Sequence, residues 1–175
     1  MNYAGLSECD NLNGVGFRTV LFVSACDHKC AFCHNKETWN PNFGNPFTKE
    51  TLDYILLCLS KPYIDGITLT GGDPLYIGNL ETVLDIIQTI KKQFPNKTIW
   101  LYTGYTWEEI CNVFSYNKID NLRYRIVTLC DVLVDGRFEK DKKDLTLAFR
   151  GSSNQRVIDV KQTLSTNTLT LYQPE

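Results

Sequence analysis

Four apolar runs recur along the chain: RTVLFVS (18–24), GITLTG (66–71), TIWLYTG (98–104) and VTLCDVLVDG (127–136). They are near-continuous rather than alternating. A strand with one wet face alternates apolar and polar residues, so continuous runs suit strands buried on both faces of a parallel sheet. Between the runs lie segments with helical spacing. In TKETLDYILLCLSK, Thr48 is placed to cap, and Leu52, Ile55, Leu56 and Leu59 share a face. In NLETVLDIIQTIKKQFP, Asn79 is placed to cap, Leu80, Val83, Leu84, Ile87 and Ile90 form the stripe, Lys91 and Lys92 occupy the last turn, and Pro95 ends it. TWEEICNVF (106–114) opens with a capping box from Thr106 to Glu109.

Strand and helix alternating in this way specify an α/β fold built of βαβ units. A closed eight-fold barrel takes roughly 250 residues, and the chain has 175. The expected architecture is an open or partial (β/α) barrel of mostly parallel strands. A less regular tail from about Gly136 would add edge strands at QRVIDV (155–160) and TLTLY (168–172). With no repeat, linker or low-complexity segment, residues 1–175 read as one domain.

The unusual sequences all follow strands. SACDHKCAFCHN (24–35) follows the first run, GGDP (71–74) the second, TGYT (103–106) the third and DGR (135–137) the fourth. Loops at the C-terminal ends of parallel strands open on one side of the sheet, where such folds bind ligands. One site is therefore expected on one rim.

Cys26, Cys30 and Cys33 have the spacing C-x3-C-x2-C. Soft thiolates in one loop select an iron–sulfur cluster, zinc or copper(I). Three ligands leave one iron of a cubane without a side chain, which suits catalysis, since structural metals are closed. The competing reading is a structural zinc completed by His28 or His34, in a binding module without chemistry. His34 would otherwise orient or hydrogen-bond near the cluster, and His28 reads as an exposed loop residue. Cys9, Cys58, Cys111 and Cys130 read as core packing.

The pattern C-x3-C-x-F-C followed by GGDP resembles the radical S-adenosylmethionine (SAM) superfamily. NGVGFRTVLFVSACDHKCAFCHNKETW (13–39), LTGGDPLY (69–76), LYTGYTWEE (101–109), DVLVDGRFE (131–139) and RGSSNQR (150–156) together resemble the activating proteins of anaerobic ribonucleoside-triphosphate reductases. The resemblance implies one four-iron four-sulfur cluster on Cys26, Cys30 and Cys33, with SAM chelated by the open iron. It implies reductive cleavage of SAM to methionine and a 5′-deoxyadenosyl radical, which takes hydrogen from a glycine of the large reductase subunit. A low-potential donor such as a flavodoxin would supply the electron. Nearer alternatives are a pyruvate formate-lyase type activase or a deazapurine synthase.

On this resemblance Phe32, Cys33, His34, Gly71, Gly72, Asp73, Thr103, Asp135, Gly136 and Arg137 are the residues expected around cluster and SAM. Gly71 and Gly72 let backbone approach a ligand closely, and Asp73 offers an acceptor for the SAM ammonium. Arg137 suits the SAM carboxylate, and Asp135 a ribose hydroxyl or a neighbouring cation, against the plainer reading of a turn aspartate and a surface arginine. Thr103 or Tyr105 would line the adenosine region, RGSSNQR would dock the partner, fold over SAM or form a bare loop, and Trp39 and Trp107 read as core or interface filler. Ala25 stands where relatives usually have glycine, which tightens the turn and leaves ligation possible, and Asp73 replaces the commoner glutamate.

A net charge of −2 supplies no field to draw nucleic acid or an anionic membrane. EKDKKD (139–144) alternates its signs and reads as a solvated loop. Seven cysteines with no export signal point to reduced thiols in a cytoplasmic setting. Replacing any one of Cys26, Cys30 or Cys33 with alanine should abolish SAM cleavage by the reduced protein, while Cys58→Ala leaves it nearly intact; product assays with dithionite as reductant measure both.

Overall fold

The computed structural model describes residues 1–111 and 118–173. Among the described residues seven strands form one sheet: β1 (Asn2–Asp10), β2 (Arg18–Val23), β3 (Asn45–Pro46), β4 (Gly66–Gly71), β5 (Thr98–Tyr102), β6 (Val132–Asp135) and β7 (Arg156–Asp159), in the order β3-β1-β2-β4-β5-β6-β7. The central strands β2, β4, β5 and β6 are parallel, and β1, β3 and β7 pair antiparallel. The sheet is mixed and open, with β3 and β7 at its edges. The helices α1 (Lys49–Leu59), α2 (Leu80–Gln93), α3 (Trp107–Ile110), α4 (Lys118–Thr128) and α5 (Val160–Thr166) fill most of the connections.

Strand pleating divides the core. Leu21, Val23, Ile67, Leu69, Ile99, Leu101 and Leu133 face the helices and pack with Ile55, Leu59, Val83, Ile87, Ile90 and Ile126. Trp100, Val132 and Val134 point to the opposite face, where Val15, Tyr102, Phe149, Val157 and Tyr172 cover them. Both faces of the central strands are thus buried, which is why their sequences do not alternate.

Several local expectations hold. Thr48 accepts from the Thr51 amide at the start of α1, and Thr106 with Glu109 forms the capping box of α3. The last three residues of the TWEEICNVF helix expected at 106–114 lie outside the described residues. Others are corrected. Asn79 does not cap α2, because its side-chain amide donates instead to the carbonyls of Ser24 and Asp73. The fourth run is not a strand throughout. Residues 127 and 128 end α4, Cys130 Sγ contacts the Ile126 carbonyl, and the strand begins at Val132. TLTLY contributes only an isolated bridge between Ile158 and Leu171. Cys58 and Cys130 are buried as expected, whereas Cys9 is exposed on β1. Among the described residues no helix is long and apolar enough to cross a membrane.

Arg18 enters the sheet beside Trp100 and is almost wholly buried. It donates to Thr68 Oγ1, Thr98 Oγ1 and the carbonyls of Val15, Ile67 and Thr98. Burial pushes its pKa down to about 10, against the more distant charges of Asp65 and Asp131, and every group it hydrogen-bonds to is neutral.

At the end of the sheet away from the motif-bearing loops, Asp131 accepts from the Ile99 amide at 2.8 Å, from Lys91 at 3.1 Å and from Lys161. Burial opposes its charge, but the Lys161 and Ile99 bonds and the nearby Lys91 outweigh it and hold the carboxyl below the usual carboxylate range. Hydrogen bonds to a charged group contribute about 1.5–3 kcal/mol, and Asp131→Asn should cost that much at pH 7. A depressed folded pKa contributes fully above the unfolded value of about 3.9, and that contribution is lost as pH falls through the folded pKa. In urea denaturation the gap between native protein and variant should therefore close below about pH 4.

Candidate functional site

The cysteine loop leaves β2 at Ser24, whose amide donates to the Asn2 carbonyl and whose hydroxyl donates to the Phe43 carbonyl. Three non-glycine residues of the loop have left-handed backbone: Ala25 at φ 76°, Lys29 at φ 47° and Phe32 at φ 63°. Each such residue costs roughly 1–2 kcal/mol, and persists only where its surroundings over-determine it. Those surroundings are the GGDP turn. The Gly72 amide donates to the Val23 carbonyl and the Asp73 amide to the Ala25 carbonyl, both at 2.7 Å. Inside the loop the Cys33 amide reaches the Cys30 carbonyl at 3.1 Å, and Lys140 lies 3.9 Å above the Phe32 ring.

The two glycines are required by this docking. Gly71 has φ 103°, and a Cβ there would fall 2.7 Å from the Val23 carbonyl oxygen. A Cβ on Gly72 would fall 2.5 Å from the Ala25 carbonyl oxygen.

Cys26, Cys30 and Cys33 line one cavity with His34, Gly71, Gly72, Thr103, Gly136 and Arg137. The structure therefore gathers most of the residues expected from sequence at the C-terminal ends of the parallel strands, on the sheet face opposite the helices. Burial pushes the Cys26 thiol up to about 11, against backbone N–H groups of His28 and Lys29 directed at its sulfur. Cys30 is likewise raised by burial and faced by the Phe138 N–H. Amides aimed at sulfur are one of the ways proteins tune iron–sulfur clusters, and all three cysteines are free. Among the described residues no three or more His, Cys, Asp or Glu side chains are grouped as the ligands of one metal ion would be. The three cysteines border one cavity. That donor set and spacing fit a cluster.

Three expected residues stand behind the cavity wall or beside it. Asp73 is 1% exposed and its carboxylate is occupied: Leu75 N donates at 2.7 Å, Thr103 Oγ1 at 2.9 Å, Gly104 N at 3.1 Å and His28 Nε2 at 2.6 Å. Asp135 is fully buried and accepts from Trp107 N at 2.8 Å and from Arg156. Phe32 is 58% exposed at the margin. β6 ends at Asp135 because Gly136 turns at φ 95°, so Asp135 and Arg137 diverge and do not share a strand face. Arg137 reaches outward to Glu109 at 3.1 Å.

Sequence reasoning missed several residues. His28 is not an exposed loop histidine; its side chain is 6% exposed. Trp39, read as filler, lines the cavity, as do Thr38, Tyr102 and Phe138, while Gly151 and Gln155 bring the RGSSNQR segment to it. Tyr105 does not line it; its hydroxyl accepts from Arg123 and its ring abuts His28. RGSSNQR folds back beside DGR, with Asn154 donating to the Arg137 carbonyl and Gln155 to the Gly136 carbonyl, and Arg156 pairs with Asp135 and Glu108.

A family described as a 4Fe-4S single cluster domain matches residues 12–158. The chain is also 45% identical over 157 residues, covering 90% of this chain and 93% of the relative, to the anaerobic ribonucleoside-triphosphate reductase-activating protein of Enterobacteria phage T4. It is 43% identical to the proteins of that name from Escherichia coli (strain K12), covering 90% of this chain and 97% of the relative, and from Pasteurella multocida (strain Pm70), covering 89% and 95%. The chain belongs to the family of anaerobic ribonucleoside-triphosphate reductase-activating proteins. Within such a 4Fe-4S domain the loop from Ser24 to Asn35 is the cysteine-bearing segment of this chain, and the GGDP turn is its support.

Gly71→Ala and Gly72→Ala should each destabilise the protein by about 1–3 kcal/mol and lower the iron retained after anaerobic reconstitution. Gly5→Ala, whose Cβ would meet only Phe22 at 3.9 Å, should change neither. Thermal denaturation and iron analysis of the three variants check this.

Proposed function

We propose that this chain is the iron–sulfur, SAM-dependent activase of an anaerobic ribonucleotide reductase, generating a glycyl radical on the large subunit. The observation that carries the reading is the convergence of the three-cysteine loop, the Gly-Gly turn and the DGR turn on one cavity, in a chain whose relatives bear the name of reductase-activating proteins. The domain is read as a single partial barrel of the radical SAM type, working in the reducing cytoplasm with a low-potential donor such as a flavodoxin.

Cys26, Cys30 and Cys33 would hold the cluster and leave one iron to SAM. The chemistry supplied by the bound cluster is one-electron reduction of SAM, which leaves methionine and a 5′-deoxyadenosyl radical to take hydrogen from the partner's glycine. The protein's part is placement and exclusion of side reactions. Gly71 and Gly72 line the cavity, where their backbone would face the amino-acid end of SAM. Asp73 contributes its negative charge near the SAM ammonium while its oxygens are held by Thr103, Gly104 and His28.

Arg137 is proposed for the SAM carboxylate. Its partner Glu109 is exposed, and such surface ion pairs contribute only about 0–1 kcal/mol, so the guanidinium exchanges carboxylates at little cost. Asp135 acts through its neighbouring cation, Arg156, which ties the DGR turn to the start of α3. Gly136, Thr103 and His34 line the remaining wall.

Mixing the reduced, cluster-loaded protein with SAM and the large reductase subunit should produce a glycyl doublet in electron paramagnetic resonance, and prior exposure to air should abolish it. Deoxyadenosine formed without any protein radical would instead place the chain with other small radical SAM enzymes.

A further inference from the structure

We propose that His28, which lies between the first two cluster cysteines, is the positioning residue of the cysteine loop and acts through the buried carboxylate of Asp73. The inference rests on the reading that Cys26, Cys30 and Cys33 hold the cluster.

The loop itself contains little that could hold it. Its left-handed residues at Ala25, Lys29 and Phe32 give it a backbone that relaxes unless tied down, and its first backbone tie to the sheet ends at Ala25. From Cys26 to Phe32, His28 is the side chain that reaches the sheet, donating from Nε2 to Asp73 Oδ2 at 2.6 Å with 6% and 1% of the two side chains exposed. Asp73 is also held from outside the loop. Leu75 N, Thr103 Oγ1 and Gly104 N fix it from the ends of β4 and β5.

The ring also sits in a fitted slot. A Cβ on Gly104 would fall 2.3 Å from His28 Cδ2, so glycine at 104 leaves the space that the imidazole fills. Tyr105 closes the other side edge-to-face, with centroids 4.5 Å apart at 75°. Arg123 in turn fixes Tyr105, donating to its hydroxyl at 2.8 Å and lying 4.2 Å over its ring. A rigid stack from α4 therefore ends on a residue two positions from one cluster cysteine and two from the next. Outer partners of this kind orient ligands, and losing one typically costs about 10–100-fold in metal affinity.

The test reconstitutes native protein, His28→Ala, His28→Gln, Gly104→Ala and the double variant His28→Ala/Gly104→Ala with iron and sulfide. Iron retention is followed against a chelator, and the spectrum of the reduced cluster is recorded with and without SAM. Iron affinity should fall about 10–100-fold in His28→Ala and in Gly104→Ala, with unchanged circular dichroism. His28→Gln, which keeps an amide donor at similar reach, should recover most of it. In the His28→Ala background the Gly104→Ala methyl should cost nothing more, because the ring it would displace is gone. Equal loss from Gly104→Ala in both backgrounds, or native retention in His28→Ala, overturns the proposal. A native protein that keeps its cluster but shows no spectral response to SAM overturns the proposed function and leaves the retention series to judge His28 alone. A native protein that takes up no iron overturns both.

Discussion

The site is organised around a buried carboxylate whose oxygens are taken up by the protein's own donors. Asp73 is 1% exposed, and a buried charge without partners is destabilising by several kcal/mol. Its position is acceptable only because donors from three separate segments converge on it: Leu75 in its own turn, Thr103 and Gly104 after β5, and His28 in the cysteine loop. Satisfying one carboxylate thus brings three loops to a common place. Its amide completes the join by bonding the carbonyl of Ala25. The negative charge that stabilises the junction lies directly beneath the cavity that the cysteines line.

This arrangement explains how a strained loop is kept. Left-handed backbone at Ala25, Lys29 and Phe32 would relax in isolation, yet these turns set the directions of the three sulfurs. The cost is offset by burying the loop's base against Gly71 and Gly72, where absent Cβ atoms allow carbonyl oxygens to approach. The same economy recurs across the cavity. Asp135 is buried, paired with Arg156 and bonded to the first amide of α3, while Arg137, beyond the turn at Gly136, stays outside in an exposed and exchangeable pair. Buried charges lie in the wall, and the exposed Arg137 lies at the mouth.

Much of the fold was legible because burial on both faces leaves a plain mark in sequence. Val20, Leu21, Ile67, Leu69, Ile99 and Leu101 are all fully buried, and no alternating pattern would fit them. The edges were harder. β1 is largely half-buried and carries no continuous apolar run, α4 is polar on average, and α5 has only seven residues. The fourth strand was read too long because Val127 and Cys130, buried at the end of a helix and in the turn after it, are as apolar as strand residues. Asn79 was misread for a related reason: a residue before an apolar stripe suits a cap, but nothing local reveals two carbonyls, on Ser24 and Asp73, waiting for its amide.

The amino-acid order alone determined the thiolate spacing, the glycines at the strand ends and the placing of all four motifs after parallel strands, because each is a property of neighbours along the chain. Which side chains face the cavity was decided only in three dimensions. His28 and Asp73 are 45 residues apart, and Arg137 and Glu109 are 28 apart; such pairs are set by sheet register and by the competition of buried donors for acceptors, which no local window contains. That competition turned a histidine that reads as solvent-exposed into the buried partner of an aspartate, and moved Asp73 from the cavity's surface to its foundation.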